Sequence, residues 1–586
     1  MIFNEKRKAI EYLVIVLISL LSTIGFAQVS HYSITGIELL LPCVFALHII
    51  VLAKALGLWK AGKAELRFSV PVGIVIDVAV VVGSKIDIDS RVFDAFGIKD
   101  IVFIALLVPF FVSIVLLLFF SSDAISEKIT PKGVVNETSI KKICISMAVM
   151  LVCWLPYYLT YYPGGIGNDI FESVNMCLGN IPWTNHHPVF FTALIKFFIV
   201  LFGRGGNLNL ALGMMVLVQM VVMSFVLSLV IAWMRRRGAE KVICLVTLAF
   251  FALHPIMAMY AIYLTKDILF SCFVVLLVLY ISDYISAANE GSIKVRHHII
   301  LGILAFFTIL TRNNGTLVVV MTLLAMFLGI RKMRKQLVVV LIVVMALNAL
   351  YKGPLWNVIG IEKQSFAESA AIPLTQVAYT IYTDGVFEKE DEAYLEELMP
   401  FDKVKAGFEP GYVDTYKFDK AFNTELLDEN PGRFMKVWLH GLTGNFGKYV
   451  EGYLFETCGY WSYGVTNTVA TEGVKENELS IEGTDWIESV TGVSLSKLLA
   501  ELVLVARKLP ILCGLSQMAT QILAVVLLMG QYIRRKKKMN VLMLMPLVAL
   551  WISVMIASPA YCLFRYMFPV FVLWPVIIDE FFDTSK

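Results

Sequence analysis

Apolar residues in this chain come in long blocks separated by short polar breaks, from the first block near residue 10 to the last near residue 581. An α-helix needs about 20 such residues to cross a hydrocarbon layer of roughly 30 Å. The pattern predicts about fourteen spans, an all-α polytopic membrane protein. They fall near 10–29, 35–55, 69–84, 101–120, 142–161, 207–233, 241–260, 267–286, 298–312, 315–330, 336–351, 508–533, 540–558 and 563–581. The runs at 69–84, 298–312 and 315–330 are short for the purpose.

Charges between the blocks set the orientation. Lys6-Arg7-Lys8, Lys60/Lys63/Arg67, Lys141-Lys142, Arg235-Arg236-Arg237, Arg331/Arg334/Lys335 and Arg534 to Lys538 mark the loops expected on the cytoplasmic side. The alternation closes only if "PVFFTALIKFFIVLFG" (188–203) does not cross, so this run reads as a helix on the outer interface with Lys196 on its polar side. Both termini then lie in the cytoplasm. The long segment 352–507 lies outside a cell membrane. It is acidic, with 25 Asp and Glu against 13 Lys and Arg, and long enough to fold as a small domain. Within it, "EKEDEAYLEELMPF" predicts a short amphipathic helix. The N-terminal apolar stretch reads as a retained signal anchor, being too long for a cleaved signal peptide.

Composition agrees with this picture. The chain is 58% hydrophobic and only 16% charged, against roughly 25% charged in soluble domains. A net charge of +3 points to no nucleic-acid partner. The partners implied so far are membrane lipids. Of nine cysteines, only Cys177 and Cys458 fall clearly in long loops, which leaves a disulfide between them open. No zinc-ligand spacing occurs in the sequence.

Four places break the apolar pattern near the predicted outer surface. The first is "YYPGGIGNDIFESVNMCLGNIPWTNHHPVF", which carries Asp169, Glu172, His186 and His187. The others are "YLTKDILF" with Lys266 and Asp267, "TRNNG" with Arg312 and Asn313, and "LFRYMFPVF" with Arg565. Each has an ordinary reading: a snorkelling cation, a helix-capping acid at Asp267, a turn before Pro188, a surface carboxylate at Glu172. Their grouping on one predicted side favours function, because ionisable groups at a bilayer are costly. Aromatic residues such as Tyr161, Trp183, Tyr460 and Trp461 suit an interfacial belt.

The order of these motifs, over roughly Cys144 to Asp579, resembles the GT-C superfamily of membrane glycosyltransferases, in an uncharacterised bacterial branch. The resemblance rests on "PGGIGNDIFESVNMCLG", "NHHPVFFTALI", "YLTKDILFSCFVVLLVLY", "ILTRNNGTLVVV" and "RYMFPVFVLWPV". It implies a helix bundle with a polyprenyl-phosphate-linked sugar as donor, an envelope glycan or lipid as acceptor, and an active site in the first long outer loop, 161–206. It implies a catalytic or metal-organising role for Asp169, donor-phosphate contacts at His186, His187, Arg312 and Arg565, and a further acidic site residue at Asp267. Lys266 joins the phosphate-binding candidates as the neighbouring cation; Glu172, Asn313, Tyr460 and Trp461 stand as secondary candidates, and a sugar donor would let Tyr161, Trp183, Tyr460 or Trp461 stack on its ring. Many members carry paired acidic residues in the first loop, whereas here Asn168 precedes Asp169. A divalent cation, Mg or Mn, held by Asp169 and Asp267 is thus an implication of the family more than of the motif.

The expected division is N-terminal spans 1–140, a core 141–351, the outer segment 352–507 and C-terminal spans 508–586. The chemistry expected is inverting transfer: a carboxylate takes the acceptor proton while cations neutralise the departing phosphate. Competing readings are a transporter or flippase for lipid-linked saccharides, a polymer ligase or polymerase, and a noncatalytic envelope scaffold. A transporter predicts charges near the midplane on interrupted helices.

Overall fold

A computed structural model describes residues 2–29, 41–62, 65–126, 139–463, 465–557 and 560–582. The chain is predominantly helical, an all-α polytopic membrane protein in its architecture. The N-terminal layer consists of α1 (Ile2–Val29), α2 (Leu41–Lys60), α3 (Leu66–Gly83) and α4 (Ile98–Ser126). Between α3 and α4 the strands β1 (Ile86–Asp87) and β2 (Val92–Phe93) pair antiparallel, Ile86 opposite Phe93. The central bundle follows: α5 (Ile140–Thr160), α6 (Asn168–Leu178), α7 (Val189–Phe202), α8 (Leu208–Arg236), α9 (Lys241–Leu253), α10 (Pro255–Ile262) and α11 (Lys266–Asn289). Next come α12 (Val295–Thr311), α13 (Gly315–Gly329) and α14 (Arg334–Leu350), the last continuing helically to Ile359.

Among the described residues nine helices are long and apolar enough to cross a membrane, or ten if α9 and α10 form one bent span. Five of the fourteen expected runs fall outside the nine, each for an identifiable reason. The run at 241–260 bends by 55° where Pro255 follows His254. The run at 563–581 divides into Phe564–Met567, Phe568–Val572 and Trp574–Phe582, with Pro569 and Pro575 in the first turns of the last two pieces. A proline lacks the N–H that would continue the helix behind it. The run at 508–533 breaks at Gln517, and α12 and α13 are only 17 and 15 residues long. Residues 35–40 of the expected second span lie outside the described residues.

The run at 188–203 folds as α7, 14 residues or about 21 Å of helix, short of a bilayer. Its buried face is Val189, Phe191, Thr192, Ile195 and Phe198. Lys196 is exposed as expected, but its ammonium turns back to the Cys177 carbonyl at the end of α6, where a cation suits the negative end of the helix.

Ion pairs show which helix ends share a face. Arg534 bonds Asp123 at the end of α4 (2.6 Å) and pairs with Glu65 before α3 (3.3 Å). Lys60 at the end of α2 pairs with Glu11 of α1. Arg236 and Arg237 pair with Asp283 near the end of α11 (3.1 and 3.4 Å). The basic loops thus lie at one set of helix ends, and the Asp169, Lys266, Arg312 and Arg565 region lies at the other.

The segment 352–507 builds its own apolar core from α15 (Ala371–Tyr382), α16 (Lys389–Leu398), α17 (Pro431–Gly444) and α18 (Phe446–Thr457), with Tyr379, Tyr394, Phe434, Tyr449 and Phe455 buried. Tyr394, Leu395 and Leu398 form the buried side of the amphipathic α16. Ile86, Ile88 and Phe93 of the β-hairpin pack on the same core. Cys177 and Cys458 are free thiols, each turned to a carbonyl (Thr192 and Phe455), so the disulfide left open by the sequence does not form. The chain closes with α19 (Ser496–Lys508), α20 (Met518–Arg534), α21 (Met545–Ile556) and α22 (Trp574–Phe582).

Candidate functional site

The glycines of "YYPGGIGND" explain how α6 reaches α11. Gly164 has φ +137°, and a Cβ there would lie 2.7 Å from the Ile262 carbonyl oxygen. A Cβ on Gly165 would lie 2.4 Å from the Tyr263 ring. Without side chains the loop lies flat against the end of α10: Gly165 donates to Ile262 O (3.0 Å) and accepts from Leu264 N (2.9 Å). This close crossing places Asp169, in the first turn of α6, beside Lys266, the first residue of α11. Gly165→Ala is therefore expected to lower thermal stability by about 1–3 kcal/mol, measured by unfolding in detergent. Gly167→Ala, whose Cβ would meet only the Tyr263 hydroxyl at 3.1 Å, should cost distinctly less.

Lys266 and Asp267 diverge from the start of α11, where Thr265 Oγ1 caps Asp267 N. The Lys266 ammonium donates to Asp169 Oδ2 (3.1 Å) and to His187 Nδ1 (2.9 Å). Asp267, fully buried, faces two guanidinium groups: Arg312 Nη1 at 3.4 Å and Arg565 Nε at 3.4 Å. Arg565 also reaches Asp169 Oδ2 through Nη1 (3.3 Å). Arg312 reaches the site because Gly315 closes a tight turn after α12; a Cβ on Gly315 would lie 2.2 Å from the Thr308 carbonyl oxygen. Its guanidinium stacks 4.0 Å from the Tyr566 ring centre, a cation–π contact.

The structure brings together Asp169, Glu172, His186, His187, Lys266, Asp267, Arg312 and Arg565, residues from four distant parts of the sequence. Glu172 does not simply face water: its Oε2 lies 3.2 Å from His187 Nε2 and 3.8 Å from His186 Nε2. Asn313 holds the histidine loop by donating to the carbonyls of Asn185 (3.2 Å) and His186 (3.4 Å). Tyr460 and Trp461 stand apart. Tyr460 is fully buried with its hydroxyl on Ala560 O (2.7 Å), leaving no ring face for a sugar, and the Trp461 indole donates to Thr457 (3.1 Å). The other proposed aromatics serve as ties: Tyr161 donates to Ser496 O and Trp183 to Met176 O.

Sequence reasoning missed Glu368 and Lys417. Glu368 Oε2 lies 3.4 Å from His186 Nδ1 and 2.9 Å from Lys417 Nζ. Backbone pairing of Thr184 with Glu362 fastens the start of the 352–507 segment to the histidine loop beside them. Neither residue sits in a motif that breaks an apolar pattern, so hydropathy carried no signal for them. Tyr566 was visible only as a neighbour of Arg565.

The electrostatics favour fixed charges. Burial alone would push the Asp169 carboxyl up, but Lys266, Arg565 and His187 outweigh it and hold it well below the usual carboxylate range. Glu172 is also lowered, its burial overcome mainly by His187. His187 is pushed down to about 4 by burial and then by the Lys266 cation, so its ring is neutral at pH 7. Because Lys266 donates to Nδ1, the ring proton sits on Nε2. That atom has no well-aligned hydrogen bond among the described residues, despite the nearby Glu172 carboxylate. Arg312 Nη1 and Arg565 Nε are likewise buried without an aligned acceptor.

The expected metal pair does not suit Mg or Mn. Asp169 and Asp267 are already matched by Lys266, Arg312 and Arg565, and these cations would repel a fourth. A tighter set, Glu172, His186 and His187, has one ligand atom each within 4.8 Å of one another. In the tautomer set by Lys266, however, His187 turns an N–H toward Glu172 where a metal would need a lone pair.

Helical architecture and site together define a multi-pass membrane protein whose bundle carries a partly buried cluster of cations, imidazoles and carboxylates at one membrane end. The chain belongs to DUF6020, a family of unknown function, whose match covers residues 181–586. The match includes His186, His187, Lys266, Asp267, Arg312 and Arg565, while Asp169 and Glu172 precede it. Comparison with curated proteins finds no match, and comparison with solved structures finds none.

Proposed function

We propose that the protein is a glycosyltransferase that moves a sugar from a polyprenyl-phosphate donor to an extracytoplasmic envelope glycan or lipid, with inversion. One observation carries this reading. Three cations, Lys266, Arg312 and Arg565, and the neutral imidazole of His187 converge around the carboxylates of Asp169 and Asp267. A phosphate matches these cations in charge and in number of oxygens, and arginine forks suit it.

In the reaction the acceptor hydroxyl oxygen attacks sugar C1 as its proton passes to Asp169. The C1–O bond to phosphate breaks, and its electron pair leaves with the phosphate. As the donor phosphate draws Lys266 and Arg565 toward itself, Asp169 loses part of the charge compensation that keeps it a weak base. Its affinity for the acceptor proton then rises, so donor binding and base activation are linked. His187, neutral and protonated on Nε2, donates to a phosphate oxygen. The position of the charges at helix ends, away from the bundle's midplane, supports this reading over a transporter. No step passes through a metal.

The test is reconstitution of the full chain in phospholipid vesicles with a radiolabelled polyprenyl-phosphate sugar and a mixture of envelope lipids and glycans. Label should move to an acceptor, free polyprenyl phosphate should accumulate, and EDTA should leave the rate unchanged. Donor that stays intact with every acceptor fraction would overturn the assignment, as would label crossing the bilayer while still attached to the prenyl lipid.

A further inference from the structure

A second cavity, of about 1040 Å³, opens at the same membrane end but is built from other elements. Its polar mouth is the β1–β2 hairpin, with Asp89 and Asp94, and its side wall carries Tyr463 and Tyr561. Phe26 of α1 and Phe111 of α4 line its apolar depth. Phe26 and Val80 each lie three residues inside the ends of α1 and α3, so the apolar part begins about 5 Å below the hairpin level. A space that is polar at the surface and apolar at that depth fits an amphiphile with its head at the hairpin and its chain among the helices.

The charge at the mouth decides which head. Lys85, the one cation lining it among the described residues, is bonded to the buried Asp100 (2.7 Å). Asp89 and Asp94 are exposed and have no ion-pair partner among the described residues. A phosphate head would meet uncompensated like charge. A sugar head would instead offer hydroxyl donors to the carboxylates and C–H faces to the two tyrosine rings. We infer that this chamber binds an amphiphile with an uncharged saccharide head. On the glycosyl-transfer reading it is the acceptor's place, kept apart from the cationic donor cluster by opposite charge. Tyr561 and Arg565 lie on one short segment, which joins the two regions. The binding assignment stands without that reading; the acceptor role rests on it.

The test uses the full chain in phosphatidylcholine vesicles and two photoreactive probes of equal chain length, an alkyl glucoside and an alkyl phosphate. Crosslinked peptides are mapped by mass spectrometry. The glucoside should label the 84–94 hairpin and the peptides containing Tyr463 or Tyr561, and the phosphate should not. Asp89→Lys with Asp94→Lys, at exposed positions that leave the fold intact, should lower glucoside labelling about tenfold, roughly 1.4 kcal/mol. Phosphate labelling the chamber as strongly as glucoside, or a double variant that labels normally, would overturn the proposal. If glucoside labelling follows the prediction while wild-type vesicles transfer no sugar, the chamber stands and the transferase reading falls.

Discussion

The Asp169→Asn variant is expected to transfer sugar about 10²- to 10⁴-fold more slowly than the wild-type chain, yet to bind an alkyl phosphate at least as tightly. The two halves have different origins. Asparagine keeps the size and shape of the side chain and accepts a hydrogen bond from Lys266, but it cannot take a proton from an attacking hydroxyl. The rate therefore falls by what a positioned base contributes. Binding moves the other way because the aspartate competes with the ligand. In the free protein Asp169 occupies Lys266 and Arg565 at 3.1 and 3.3 Å. Removing its charge leaves both cations less compensated and raises the attraction for a phosphate. The measurements are the transfer rate in vesicles and the affinity for an alkyl phosphate by calorimetry. A variant that loses rate and affinity in proportion would show Asp169 to be a binding or structural residue, with no role as base.

Arg565→Ala is expected to do the reverse in binding and more in stability. Alkyl phosphate affinity should drop at least tenfold, the loss of one strong charge-assisted contact. Thermal stability should fall by about 3–5 kcal/mol, because removing one partner leaves a buried charge uncompensated. That charge is Asp267, which has no exposed surface and would retain only Arg312. Arg565→Lys should recover part of the stability but little of the affinity, since an ammonium cannot span Asp169 and Asp267 as the guanidinium does. Asp267→Asn placed on Arg565→Ala should restore stability without restoring phosphate binding, separating the two roles. If Arg565→Ala binds alkyl phosphate normally, the cluster is a structural ion-pair network and the donor site lies elsewhere.

Much of the site was legible before the fold because membrane chains make polar residues conspicuous. Lys266, Asp267, Arg312 and Arg565 each interrupt or border an apolar run, where an ionisable group is costly, and all four meet. Glu368 and Lys417 lay in a segment already rich in charge, where one more glutamate or lysine carries no contrast. Tyr460 misled in the other direction: an aromatic in a glycine-rich loop reads as a surface residue, but packing took it into the interior. Apolar runs and continuous helices part company where the backbone is interrupted. At 563–581 the side chains are as greasy as a span requires, but Pro569 and Pro575 interrupt the backbone ladder.

The sequence by itself determined that this is a helical membrane protein, which helix ends carry the basic loops, and which residue types stand at the opposite ends. Those properties follow from local quantities, hydropathy and charge, that each residue carries wherever the chain goes. Only the tertiary structure decided that Arg565 lies between Asp169 and Asp267, that Lys266 sets the tautomer of His187, and that a separate acidic chamber lies behind the hairpin. These depend on contacts a few ångströms long between residues up to several hundred positions apart, and such contacts exist only once helices cross at close range, as the bare glycines beside Tyr263 allow.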